Sequence, residues 1–371
     1  MKNKAIVIGY YGNSNFGDDL LINSFIDKIT SNYEKITVIN SGENAVTFDY
    51  NNIKNVSIWK VNRKVLSKFN FILMLLSYTY HSIGSKDIFF AGGTQLFETK
   101  KNKYINLLVY FLFSMFSKLS RKRIYHFGVG VNPAITKIGS FLLKNVLKMA
   151  DRIIVRDTKS YLVSMDMVNA KNNGKVFECA DLAYLNFDNL NSSLINCGSI
   201  NKKVGVNLFP YFDVVESSSK DSFTIQVILK IIDGIATKEK IDIYLIGSQN
   251  DHPLSDSEYM SKFSAQLEAR YKCNVVECPY DNDSKEFAYK IAQFDYIISM
   301  RLHIIITAAI FGNAKIYGLA YQEKVKSECE SLMIPFYDYN SIPEELSLKY
   351  PSRKVVQKKY SDLLRLFSDD N

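Results

Sequence analysis

Apolar residues in this chain fall in short runs that alternate with longer amphipathic stretches, and that rhythm continues for most of its length. "KAIVIG" (Lys4–Gly9) reads as a buried strand. After a loop over Gly12–Gly17, Leu21, Ile22, Phe25, Ile26 and Ile29 recur at the spacing of one helix face. Further strands are expected at "KITVIN" (35–40), "DIFFAGG" (87–93), "RIYHFGVG" (123–130) and "RIIVRD" (152–157), with helices between them. Near Asn186–Lys203 the pattern lapses into Asn, Ser and Gly, as a linker would. It restarts with "KVGVNL" (203–208), a helix near 222–237, "IDIYLIG" (241–247), "NVVEC" (274–278), "DYIIS" (295–299) and "KIYGLAY" (315–321). Near the end, Val356, Tyr360, Leu363, Leu364 and Phe367 share one helical face.

Near-continuous apolar strands separated by helices predict parallel sheets covered on both faces. The expected architecture is α/β, with two Rossmann-like domains facing a cleft, at 1–190 and 203–340, and a docking helix at 352–368. Ligands in such folds bind beyond the carboxyl ends of strands.

Composition narrows this picture. A chain of 371 residues exceeds one ordinary core. Its 47% hydrophobic and 23% charged residues are those of a globular protein. The net charge of +8 suits an anionic small substrate, an anionic membrane surface or nucleic acid without choosing among them. Basic residues are dispersed, with no recognition element beside them, which argues against nucleic acid. Five cysteines, with no CxxC pair, argue against a disulfide framework or a metal site and point to a reducing cytosol. The N-terminus holds four apolar residues before a glycine, which reads as a strand and not a signal peptide. Two apolar runs, Phe69–Tyr80 and Tyr104–Phe116, are shorter than the roughly 17–25 residues a bilayer-spanning helix needs. They read as core helices. Lys118, Arg121, Lys122 and Arg123 after the second run would also suit docking on anionic lipid.

The candidate chemistry gathers at strand ends. In "SMRLHIIITAAIFGN", Arg301 and His303 stand where a strand gives way to a helix, so free N–H groups and the helix dipole favour an anion there. Arginine adds a planar fork for phosphate or carboxylate, and a bound anion would keep the histidine protonated. The alternative is a structural arginine beside a core histidine. "GYYGNSNFGDDLL" (Gly9–Leu21) brings flexible glycines, Asn15, Gly17 and then Asp18 at a helix start. Asp18 is either a helix cap or an acceptor of a sugar hydroxyl proton. It is not a nucleotide-binding glycine motif. "FFAGGTQLFE" ends a strand on Gly92 and Gly93. "VRDTKS" puts Arg156 at another strand end, either in a surface group with Asp157 or turned toward a ligand. "GLAYQEKVKSECE" carries Tyr321, and Lys324 in a helix's first turn, where a cation is unfavourable unless an anion binds.

These blocks, with "CADLAYL", resemble the polysaccharide pyruvyl transferase family in the same order and at similar separations, over roughly residues 5 to 330. Arg-Leu-His with its following Tyr-x-x-Lys-Val is the most specific of them. The resemblance implies a two-domain, glycosyltransferase-B-like enzyme that moves pyruvate from phosphoenolpyruvate onto two hydroxyls of a sugar, giving a cyclic ketal and phosphate. Carried over by position, Arg301, Leu302 and His303 are similar to the family's phosphoenolpyruvate site. Arg156 matches its further donor arginine, and Lys324 its lysine after the last strand. Asn15, Gly17 and Asp18 match its amino-terminal loop, and Asp181 its aspartate before a small apolar run. Ala91, Asp19 and Val129, the last in the loop "GVGVNP" (Gly128–Pro133), depart from it.

On this reading His303 is the acid or the proton-bearing phosphate ligand. Arg301, Arg156 and Lys324 form the clamp, and Asp18 is the base. A close charge pair is worth on the order of 4 kcal/mol before desolvation. No metal or redox cofactor is required. The implied acceptor is a sugar or lipid-linked oligosaccharide at the inner face of the membrane, with peripheral membrane contact. The alternatives are a nucleotide-sugar glycosyltransferase and a non-catalytic polysaccharide-assembly subunit.

Overall fold

Strands rich in Ile, Val and Phe need a helix layer on each face, and the chain supplies it twice. The computed structural model describes residues 3–42, 44, 46–59, 70–98, 104–168, 174–188, 200–211, 220–250, 255–339 and 346–368. Two units result. The first holds Met1–Asn13, Leu21–Leu182 and Arg365–Asn371, and the second Ser14–Leu20 and Ala183–Leu364. The linker expected near Asn186–Lys203 lies in large part, at 189–199, outside the described residues.

In the first unit the strands are β1 (Asn3–Ile8), β2 (Tyr33–Asn40), β3 (Ile53–Ser57), β4 (Asp87–Ala91), β5 (Thr94–Leu96), β6 (Arg123–Val131), β7 (Arg152–Val155) and β8 (Val176–Glu178). Their order is β3-β2-β1-β4-β6-β7-β8, with β5 added on β6. All these pairings are parallel, starting from Ala5 opposite Asp87 and Lys4 opposite Lys35. Helices α1 (Phe16–Ile29), α2 (Asn70–His81), α3 (Ile105–Leu119), α4 (Lys137–Met149) and α5 (Thr158–Val168) intervene.

One face of this sheet carries Ile6, Ile8, Ile88, Phe90 and Val129. They are buried with Tyr78, Leu107, Phe113, Leu143 and Val146 from α2, α3 and α4. Both long apolar runs are therefore helices of a core, and among the described residues no helix is long and apolar enough to cross a membrane. The basic group after α3 is largely engaged. Lys118 pairs with Asp151 at 2.5 Å, Arg123 with buried Asp87 at 2.6 Å, and Lys122 donates to Ser82. The expected loop Gly128–Pro133 runs mostly inside β6 instead. There Gly128 sits at a register shift with φ 65°, and a side chain on it would strike Leu182.

The second unit repeats the scheme with β9 (Lys202–Asn207), β10 (Ile241–Gly247), β11 (Val275–Pro279), β12 (Tyr296–Ser299), β13 (Lys315–Leu319) and β14 (Phe336–Tyr337), in the order β11-β10-β9-β12-β13-β14. Every pairing is again parallel. Its helices are α6 (Lys220–Ala236), α7 (Asp256–Ser261), α8 (Ser264–Tyr271), α9 (Ser284–Ala292), α10 (Leu302–Phe311), α11 (Glu323–Leu332) and α12 (Arg353–Ser368). Helix α10 is apolar all round, with Ile304, Ile305, Ile306 and Ile310 fully buried, as a helix enclosed in a core must be. Gly312 ends it in the left-handed conformation at φ 72°. On α12, Val356, Tyr360 and Leu363 are buried, and Phe367 packs on Phe25 and Phe127.

The strand order reverses direction between β9 and β12. The carboxyl ends of these two strands therefore bound the crevice where such sheets take ligands.

Candidate functional site

Arg301 lies between β12 and α10, at that reversal. Its backbone is extended (φ −85°, ψ 123°) and no side chain caps the helix, so the first N–H groups of α10 keep their positive field. Neighbouring strand ends hold the turn. Ser299 Oγ accepts from Arg301 N at 3.0 Å, and Asn207 Oδ1, at the end of β9, accepts from it at 3.3 Å.

The guanidinium is held by a residue the sequence reading did not single out. Asp256, fully buried at the start of α7, accepts Arg301 Nε at 3.2 Å. The same carboxylate accepts Ser248 N at 2.8 Å, Gln249 N at 2.7 Å, Ser248 Oγ at 2.7 Å and Asn207 Nδ2 at 3.0 Å. With its charge shared among five donors, Asp256 orients Arg301 without monopolising it. On another side the guanidinium carbon stands 4.0 Å from the centre of the Phe209 ring. Tyr321 completes this wall, with ring centres 5.8 Å from Phe209 and 4.7 Å from Tyr211. Burial pushes the Tyr321 phenol up, and the charge of Arg301 works against that shift.

His303 occupies the first turn of α10, with Leu302 buried beside it. Its imidazole is packed against Gly17, and a side chain at Gly17 would overlap Nδ1. Gly17 is thus required for close approach. It lies in the first turn of α1, whose opening residues group with the second unit and not with the first sheet, contrary to the reading of Gly9–Leu21 as a first-domain element. Several contacts explain the grouping. Phe16 N donates to Ser248 O at 2.9 Å, Asn15 bridges Gln249, and Phe16 packs on Tyr280 and Phe287. Asn15 Oδ1 accepts Gly17 N at 3.0 Å, and buried Asp19 accepts the Tyr280 hydroxyl at 2.9 Å. Two helix starts, those of α1 and α10, therefore meet at Gly17 and His303. Half-buried Asp18 follows Gly17 in that turn. Lys324 is exposed in the first turn of α11, beyond β13, the strand next to β12.

The other expected residues belong to the first unit. Gly92 and Gly93 follow β4 in the left-handed conformation (φ 64° and 68°). Arg156 follows β7, and its side chain is 8% exposed. It donates to Thr94 Oγ1 at 2.7 Å and lies 3.7 Å from both Asp157 and Asp181. The Arg156–Asp157 pairing is present, and buried Asp181 and Thr94 join it on the inner side.

A sequence profile of the polysaccharide pyruvyl transferase family matches residues 15–312, from the Asn15 loop through α10. The chain belongs to that family. No curated protein sequence matches it. Solved structures share its fold. A putative UDP-N-acetylglucosamine 2-epimerase from Listeria monocytogenes aligns with a TM-score of 0.59 over 98% of this chain and 88% of that one, at 11% identity. The UDP-GlcNAc 2-epimerase of Methanocaldococcus jannaschii gives 0.57 over 100% of both chains, also at 11% identity. A glycosyltransferase from Rickettsia africae gives 0.53 over 99% and 94%, at 11%. The chain thus has the glycosyltransferase-B-like pair of Rossmann-like units.

Asn207, Phe209 and Asp256 are the candidate-site residues that sequence reasoning missed. Asp256 had a legible signal, since "SDSE" is a capping box in which Ser255 accepts Glu258 N at 3.2 Å. That signal marks a helix start, however, and not a partner for Arg301.

Proposed function

We propose that this protein transfers pyruvate from phosphoenolpyruvate onto two hydroxyls of a sugar in a surface polysaccharide or its lipid-linked precursor, forming a cyclic ketal and releasing phosphate. The observation that carries the reading is Arg301, anchored by buried Asp256, next to His303 at a junction of two helix starts, in a member of this family. A donor bearing both a carboxylate and a phosphate needs fixed cations and dipoles already in place, because a site that need not reorganise stabilises charge best.

In the proposed reaction His303 delivers a proton to the methylene carbon of the donor, and the adjacent carbon becomes an oxocarbenium centre. The first sugar hydroxyl adds there and gives up its proton to Asp18 or water. The carbon–oxygen bond to phosphate then breaks, with phosphate keeping the electron pair. The second hydroxyl closes the ring as its proton leaves. One proton stays on the new methyl group and one departs with hydrogen phosphate, which balances the two lost from the hydroxyls. Arg301 and Lys324 hold the anionic groups, and Tyr321 and Phe209 wall the guanidinium. Arg156 is assigned to the first unit's Thr94, Asp157 and Asp181, and the acceptor to that unit's glycine-rich strand ends.

A nucleotide-sugar transferase on the same fold would need a carboxylate in the second unit to grip a ribose. Glu328 on α11 is instead taken up by Tyr184 and Lys359. Candidate glycans incubated with phosphoenolpyruvate should gain the mass of one pyruvate less one water, and His303→Ala should lower that rate by about 100- to 10,000-fold. Full turnover by a folded His303→Ala enzyme would remove His303 from the mechanism. Incorporation from a UDP-sugar with none from phosphoenolpyruvate would overturn the function.

A further inference from the structure

At the amino ends of the first sheet's strands, on the edge opposite to strand-end sites, parallel pairing places Lys4 directly beside Lys35, and Thr37 beside Lys54. Because side chains alternate, all four residues lie on one face. Like charges directly paired across strands are destabilising. None of the three lysines forms an ion pair among the described residues. They line a cavity of about 280 Å³ together with Thr37, Tyr80, His81, Ile83 and Ser85. The buried Nε2 of His81 has no hydrogen-bond partner among the described residues. The basic group after α3, by contrast, is spent on Asp151, Asp87 and Ser82.

Two of the lining residues, Tyr80 and Ile83, continue into an exposed apolar stripe on α2. Ile72, Leu76 and Tyr80 stand four residues apart on α2 and are exposed, as are Ile83 and Trp59. Trp59 packs on Tyr80 with ring centres 5.3 Å apart, and Tyr80 on His81 at 5.1 Å. An exposed aliphatic stripe, a Trp and Tyr pair, and a lysine cluster beside them are what an interfacial helix presents to a bilayer.

The geometry points to a membrane-docking surface, in which Lys4, Lys35 and Lys54 receive anionic lipid headgroups while Ile72, Leu76, Tyr80 and Ile83 enter the acyl boundary. It deepens the reading of a lipid-linked acceptor, but its test needs no turnover. Full-length protein is sedimented with vesicles of phosphatidylcholine alone and with an equal mixture of phosphatidylcholine and phosphatidylglycerol. Binding is expected on the mixture and much weaker on phosphatidylcholine alone. Lys4→Glu/Lys35→Glu/Lys54→Glu should lose on the order of 100-fold in affinity for the mixture, as three near-surface cations warrant. Leu76→Ser/Ile83→Ser should bind more weakly than wild type, and Arg121→Glu should match it. Circular dichroism checks the fold of each variant. Failure of wild type to sediment, or equal binding by both multiple variants and wild type, overturns the proposal. So does thermal stabilisation by inorganic pyrophosphate without vesicle binding, which would make the cavity a site for soluble anions.

Discussion

Two arginines end strands in this molecule and are held in opposite ways. Arg156, after β7, has Asp157 and Asp181 each at 3.7 Å and a hydroxyl at 2.7 Å. Arg301, after β12, has one buried carboxylate that also serves four other donors, and an aromatic face. The first setting balances the positive charge locally, as a structural cross-link does. The second fixes the direction of the guanidinium at the uncapped start of α10, through a carboxylate shared with the ends of β9 and β10. An arginine at a strand end is therefore not informative until its carboxylates are located.

The sharpest way to break this comparison is to remove the carboxylates. Asp256→Ala strands a partly buried guanidinium and should destabilise the protein by about 3–5 kcal/mol. Asp157→Ala leaves Asp181 in place and removes a half-exposed ion pair and the Ser160 N–H contact at the start of α5, so it should cost only about 1–2 kcal/mol. Denaturant melts of the two variants test this, and equal losses would erase the distinction.

The glycines extend the contrast from stability to turnover. Gly17→Ala drives a methyl group into His303 and should lower kcat by about 10- to 100-fold, as misplacement by about an ångström does. Gly84→Ala, at φ 78° in the first unit with open space around it, should act on stability, by about 1–2 kcal/mol. Steady-state kinetics beside thermal melts separate the two.

The last contrast concerns a second histidine. His126 is fully buried in the first core, stacked on Phe90 at 4.8 Å, and burial holds its pKa down at about 3. The neutral form belongs to the fold, so protonation favours the unfolded chain. The stability this site supports is complete above about 6.5 and declines as pH falls toward 3. His126→Phe should therefore reduce the loss of stability between pH 7.5 and pH 5 by about 2 kcal/mol. Comparing each variant with itself at the two pH values cancels packing differences, and an unchanged difference would refute the assignment.

Most strands were legible because an apolar run bounded by polar residues is a local property. The expected strand 241–247 coincides with β10, and 35–40 and 123–130 fall within β2 and β6. The strands left unnamed were β3, β5, β8 and β14. They are short, and Ile53–Ser57 is largely polar, so pairing with a neighbour makes each a strand more than its own pattern does. At the site, the Arg301–His303 pair was visible as a motif, whereas Asp256 was not, because its role depends on a fold that brings together residues 45 apart in sequence.

By itself, then, the sequence determined the rhythm of buried strands and covering helices, the parallel sheets this implies, and the family to which its motifs belong. Backbone hydrogen bonding and burial impose those patterns residue by residue. Only the tertiary structure decided that Gly17 clears space for His303, that Asp256 aims Arg301, and that the lysines after α3 are absorbed while Lys4, Lys35 and Lys54 share an open face. Such contacts depend on strand register and chain crossing, which the alternation of apolar and polar residues does not encode.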